Sequence, residues 1–222
     1  ISITAIGDAA PEDVVLRSTA HDTDLICVTG DLGAAYMGLQ LLEREKYVYL
    51  QSLTPKEDAE KGSLPSMGRA GGEASPDFSG REYLLQRQLM PEPRRDVIEA
   101  LRKAGIRPTA MMDISDGLSS ELHHICHESN VGCRIYEERI PLDYQTAVTA
   151  EEFNMNVTTA ALNGGEDYEL LFTVPLTAHD EVVKIEGVRV IGHITKPELG
   201  KLLGTREGQE FDLKAQGWQM QV

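Results

Sequence analysis

The sequence predicts an α+β fold with layered packing, in which a mixed sheet is flanked by helices. Three observations carry this. Apolar runs of strand length, such as residues 25–30 and 188–194, are bounded by turn residues. Other stretches repeat their apolar residues every three or four positions, as helices do. The two kinds also interleave without the strict alternation of a doubly wound parallel sheet.

In chain order, residues 1–7 (Ile-Ser-Ile-Thr-Ala-Ile-Gly) and 25–30 read as strands. Residues 33–45 read as a helix that keeps Ala34, Met37, Leu41 and Leu42 on one side. Strand, glycine turn and helix make a βα unit. It lacks the G-K-[ST] of a P-loop, so it is no nucleotide cradle by itself. Residues 52–80 are rich in Gly, Pro, Ser and charge, and are expected to form a flexible surface insertion. Residues 83–89 suit a helix, which Pro91-Glu92-Pro93 ends, and 94–104 form another. A strand–turn–helix unit follows over 111–130, then a strand over 133–137 and a helix over 157–163. Strands close the pattern at 168–174, 188–194 and 201–205, with a hairpin turn near Glu207-Gly208. No internal repeat stands out.

At 222 residues the chain can bury a full core as one domain. Its net charge of −15 argues against nucleic acid, whose binding needs basic contacts to phosphate, and against anionic membrane surfaces. No apolar run approaches the roughly 20 residues of a membrane-spanning helix. Acidic residues can still serve a nucleotide by collecting Mg²⁺, which collects phosphate; solubility is the plainer use of the charge. Cys27, Cys126 and Cys133 follow no paired spacing, which suggests reduced thiols and a cytoplasmic setting. His123 and His127 share a helical face beside Cys126, but no H-E-x-x-H run or distant ligand pair accompanies them, so zinc is not expected.

Two runs carry the chemistry. In Met111-Met112-Asp113-Ile114-Ser115-Asp116-Gly117-Leu118, two carboxylates flank a hydroxyl where a strand turns into a helix bearing Leu118, Leu122, Ile125 and Cys126. Unpaired N–H groups at a helix start favour anions, and Asp113 and Asp116 can hold a hard cation through oxygen. The same residues would also serve as an ordinary helix cap. In Asn163-Gly164-Gly165-Glu166-Asp167-Tyr168-Glu169-Leu170-Leu171, a glycine pair that admits close backbone approach or positive φ leads through three carboxylates into an apolar strand. A tight turn with solvated acids on its lip is the alternative.

Together the D-I-S-D-G-L and N-G-G-E-D-Y-E-L-L-F-T runs resemble the thiamine-monophosphate kinases. These belong to the superfamily of aminoimidazole ribonucleotide synthetase, selenophosphate synthetase and hydrogenase-maturation protein E. Further likenesses run in order along the chain: Leu16-Arg17-Ser18, with Thr19 in place of a glycine; residues 24–33, Asp-Leu-Ile-Cys-Val-Thr-Gly-Asp-Leu-Gly; Val190-Ile191-Gly192-His193-Ile194; and Gly217-Trp218. The resemblance implies a layered α/β/α domain, the C-terminal domain of the aminoimidazole ribonucleotide synthetase-like fold. The family's G-D-D-A segment and remaining metal-binding aspartates are not found in this chain, which opens at Ile1. The chain is therefore expected to be the C-terminal domain of a longer enzyme, inactive when isolated.

The resemblance further implies phosphoryl transfer from ATP to thiamine monophosphate with Mg²⁺. Asp113 and Asp116 match metal-binding positions, Arg17 and Ser115 ATP-binding positions, and Glu166 and Trp218 substrate-binding positions. A carboxylate and an indole suit a cationic thiazolium joined to an aminopyrimidine. No catalytic base is assigned. A homodimer of the full-length protein is implied. The alternatives are a non-catalytic binding or assembly module on the same fold, and another ATP-dependent member of the superfamily, such as aminoimidazole ribonucleotide synthetase.

Overall fold

A computed structural model describes residues 4, 6–53, 76 and 78–215. Seven strands and seven α-helices are found among them: β1 Leu25–Thr29, α1 Ala34–Leu53, α2 Glu82–Leu89, α3 Arg95–Lys103, β2 Ala110–Ile114, α4 Leu118–Ser129, β3 Gly132–Tyr136, α5 Tyr144–Glu152, α6 Val157–Asn163, β4 Glu169–Val174, α7 His179–Val182, β5 Val188–Thr195, β6 Lys201–Gly204 and β7 Glu210–Asp212. The strands form one mixed sheet in the order β2-β4-β1-β5-β3-β6-β7. Every pairing is antiparallel except β3 with β6.

All five residues of β1 are buried, as the centre of a sheet covered on both faces requires. The period of two then sends Ile26 and Val28 into one core and Leu25 and Cys27 into the other. On the first face lie Leu118, Leu122 and Ile125 of α4 and Ala161 and Leu162 of α6. On the second lie Val97 and Leu101 of α3 and Val182 of α7. The α/β/α layering expected from the sequence is what forms. A third apolar cluster joins α1, α2, α5 and α6 through Met37, Leu84, Ala150 and Ala160.

Several elements differ from the sequence reading. Residues 1–3 and 5 of the first expected strand lie outside the described residues. Thr4, Ile6 and Gly7 are exposed, in no regular element, and without the paired strand that extended backbone needs. Helix α1 runs on past Glu45 to Leu53, because exposed Arg44 and Lys46 are good helix formers and no breaker intervenes. Most of the expected insertion, 54–75 and 77, lies outside the described residues. Helix α5 was not foreseen. It buries Thr146, Thr149 and Ala150, which carry no apolar period, and it starts at Asp143, whose carboxylate accepts from the Gln145 N–H at 2.7 Å. The hairpin near Gly208 forms as expected and joins β6 to β7.

Candidate active site: two loops meeting backbone to backbone

Strand β2 ends at Ile114, and the turn 115–117 swings into α4. Three fully buried side chains on α4, each contributing roughly 1.5–3 kcal/mol, fix where that turn sits. The second run crosses directly over it. The Glu166 N–H donates to the Ser115 carbonyl at 2.7 Å, and the Tyr168 N–H donates to the Ile114 carbonyl at 2.9 Å. Glycine is needed on both sides of the crossing. A Cβ on Gly117 (φ +112) would lie 2.8 Å from the Leu162 carbonyl oxygen, and one on Gly165 (φ +69) 2.6 Å from that of Ser115.

The crossing loop stores strain. Glu166 and Tyr168 have φ of 62° and 51°, a left-handed conformation that non-glycine residues rarely take. Such strain persists only where the surroundings over-determine it. Here Asp167, between them, is 2% exposed and accepts the N–H groups of Gly33 at 2.7 Å and Ala35 at 3.2 Å, at the start of α1. Burial pushes the Asp167 carboxyl up to about 6, against the pull of those two N–H groups and of Arg87.

The outcome is a cluster of exposed carboxylates. Asp113, Asp116 and Glu166 are all exposed. Among the described residues, neither aspartate side chain takes a hydrogen bond or ion pair. The Tyr168 hydroxyl stands among the three and donates to Glu166 Oε2 at 3.2 Å. Its phenol is held above the usual range by the Glu166 charge first, then by burial and that hydrogen bond, with Asp113 and Asp116 adding. A hollow of about 390 Å³ opens beside them, lined by Asp113, Tyr168, Leu170, Arg94 and the 91–93 segment. The turn itself is pinned from below. Glu121, 1% exposed, accepts the Asp116 N–H at 3.0 Å through Oε1, and burial pushes its carboxyl up to about 7.

The structure thus brings Asp113, Ser115, Asp116 and Glu166 together. It does not bring Arg17 to them. Arg17 pairs with Glu128 at 3.5 Å, at the opposite end of α4, which over twelve residues is about 17 Å from the turn. Trp218 lies outside the described residues. Tyr168, Arg94 and Glu121 were not singled out from the sequence. For Glu121 a signal existed, an acid in the first turn of a helix. For Tyr168 and Arg94 none did, because their place depends on the loop crossing.

Magnesium is the ion that the resemblance implies, and the donor set fits one mode of holding it. Among the described residues no group of three or more His, Cys, Asp or Glu could hold a metal ion. Two free carboxylates are instead what Mg²⁺ takes when phosphates and water complete its octahedron.

Comparison with known proteins places the fold. Residues 57–203 match the family described as AIR synthase related protein, C-terminal domain. Thiamine-monophosphate kinase of Aquifex aeolicus (strain VF5) is 32% identical over 207 residues, covering 89% of this chain and 57% of that protein. The kinase of the same name from Escherichia coli (strain K12) is 33% identical over 159 residues, covering 72% and 39%. The solved structure of AaThiL complexed with AMPPCP and TMP has a TM-score of 0.67 at 29% identity, over 93% of this chain and 54% of that one. Hydrogenase Maturation Protein HypE in complex with ATP shares the fold, with a TM-score of 0.59 at 15% identity, over 96% and 56%. The chain spans about half the length of the first of these relatives. With a family match over more than half of its residues and the sheet and flanking helices in agreement, the chain belongs to the AIR synthase related proteins, as their C-terminal domain.

Proposed function

We propose that this chain is the C-terminal half of a kinase that moves the γ-phosphoryl group of ATP to thiamine monophosphate, giving thiamine diphosphate. The observation that carries the reading is the crossing of the two loops, which brings Glu166 over the turn that bears Asp113 and Asp116, all three exposed, beside a hollow that Asp113 and Tyr168 line. The likeness to thiamine-monophosphate kinases supports the choice of substrates.

In this reading Asp113 and Asp116 hold Mg²⁺, and Ser115, at the turn into α4, faces the nucleotide phosphates. The bound ion would neutralise phosphate charge as it develops. Glu166 accepts hydrogen bonds from the amine-bearing ring system and faces its positive charge. The acceptor is already a phosphate oxyanion near neutral pH, so the site needs no strong base. What the residues must supply is alignment, and the strained, doubly anchored 165–168 loop is suited to that. Arg17 and Trp218 keep the roles that the resemblance gives them, toward ATP and substrate. A cytoplasmic homodimer is part of the same proposal; three unpaired, buried thiols support the setting.

The test is ADP formation by the full-length protein with thiamine monophosphate, with an aminoimidazole precursor of the superfamily's synthetase, and with no acceptor. ADP released in step with thiamine diphosphate, and only with Mg²⁺ present, is expected. ADP formed with the aminoimidazole precursor alone would move the chain to the other branch.

A further inference from the structure

The left-handed backbone at Glu166 and Tyr168, leading into β4 at Glu169, sorts four side chains into two pairs. Glu166 and Tyr168 face outward beside the hollow, whereas Asp167 and Glu169 turn inward and are 2% exposed each. Glu169 touches nothing in the hollow, yet it sits where three elements meet. Its Oε1 accepts from Arg87 Nη1 of α2 at 2.7 Å. Its Oε2 accepts from Arg94 Nη1, at the start of α3, at 2.8 Å, and from the Thr29 hydroxyl of β1. Space is reserved for this carboxylate, since a Cβ on Gly30 would stand 2.3 Å from Oε1.

The segment between the two arginines forms one wall of the hollow, and little else holds it. Pro91 and Pro93 have no N–H to donate. The backbone bonds at its ends are local: Met90 N–H to the Gln86 carbonyl, and Arg95 N–H to that of Pro93. Leu89 and Met90 are 62% and 65% exposed, so apolar packing does not anchor it either. Arg87 and Arg94, by contrast, have side chains only 14% and 17% exposed. We propose that Glu169 is a positioning residue, whose carboxylate clasps Arg87 and Arg94 and so holds the 91–94 wall of the hollow opposite Asp113 and Tyr168. The proposal rests on the reading of the hollow as the ligand site.

The clasp is tested by a nitroxide label on Met90→Cys in the full-length protein, in a background whose only accessible thiol is the introduced one; Cys27, Cys126 and Cys133 are buried. Glu169→Gln keeps the side-chain shape, and Arg94→Gln cuts the link to the wall along with the local Arg94–Asp96 pair. Each breaks a charge-assisted hydrogen bond, so the ratio of mobile to immobile label should rise about tenfold or more. The KM for thiamine monophosphate or ATP should rise by a similar factor, with kcat changed less. If Glu169→Gln does not fold, Arg94→Gln carries the test, because it leaves Glu169 with Arg87 and Thr29. An unchanged label spectrum in Arg94→Gln overturns the proposal, whatever the activity. A mobile label with both KM values unchanged upholds the clasp and removes the hollow from ligand recognition, which defeats the site reading instead.

Discussion

Gly165→Ala tests the loop crossing at its tightest point. Two costs arise. The first is conformational: alanine at φ +69 gives up roughly 1–2 kcal/mol. The second is steric, because the new methyl would stand 2.6 Å from the Ser115 carbonyl oxygen and 3.1 Å from the Asp116 carbonyl carbon. Both are backbone atoms, so the loops must separate by most of an ångström. Overpacking of this kind costs about 1–3 kcal/mol. The sum, about 2–5 kcal/mol, lowers Tm by roughly 4–20 °C for a domain of this size, at about 2–4 °C per kcal/mol. Gly105→Ala isolates the first cost, since its φ is +67, in the left-handed cap that ends α3, and a Cβ there meets nothing within 4 Å. Thermal unfolding of the two variants gives the steric part by difference. Turnover of the Gly165→Ala protein, measured below its Tm, should fall roughly 100-fold, the usual penalty of a 1 Å misplacement. If Gly165→Ala melts within a degree of Gly105→Ala and turns over normally, the two loops do not bear on each other as described.

The other predictions concern single groups. Glu166→Ala in the full-length protein should raise the KM for thiamine monophosphate by roughly 10- to 150-fold, from a lost charged acceptor worth about 1.5–3 kcal/mol, and move that for ATP far less; equal shifts of both constants would remove Glu166 from the acceptor pocket. Asp167 has a folded carboxyl pushed up to about 6 from 3.8, so between those values the folded state holds a proton that the unfolded state has lost, and stability falls as pH rises. The stability of wild type minus that of Asp167→Asn should therefore drop by up to about 3 kcal/mol from pH 4 to 7, mostly between 4 and 6, and a rising or flat difference in denaturant titrations contradicts this. The 222-residue chain by itself should unfold cooperatively but form essentially no ADP with thiamine monophosphate, because phosphoryl transfer is nearly all positioning and electrostatics; robust turnover by the verified fragment would refute this.

Much of the fold is legible because local chemistry dictates it. Strand β1 announces itself as an unbroken apolar run, and α4 by Leu118, Leu122 and Ile125 at helical spacing. Helix α6 forms over the expected residues, with Asn156 accepting the Thr159 N–H at its start. Helix α5 and strand β7 are hidden for the same reason. One buries threonines and an alanine, and the other is exposed throughout, so neither shows an apolar period. The two motif runs could be picked out, but their crossing could not, since it requires left-handed backbone at Glu166 and Tyr168, where no residue type signals it. The clasp of Glu169 on Arg87 and Arg94 is likewise a product of tertiary packing, joining residues 75 and 82 positions apart.

The central claim is that the 113–117 turn binds nucleotide through Mg²⁺ while the 163–169 loop serves the acceptor. Its most direct test is calorimetric titration of ATP and of thiamine monophosphate into the full-length protein at several Mg²⁺ concentrations, for wild type and Asp116→Asn. Asp116 is exposed and its side chain takes no hydrogen bond or ion pair among the described residues, so the variant should fold normally. The account predicts ATP affinity that climbs with Mg²⁺ in wild type, a variant that loses at least about tenfold of it, the worth of one charged ligand, and thiamine monophosphate binding that stays within about threefold. Wild type and variant showing the same Mg²⁺ dependence for ATP would contradict it.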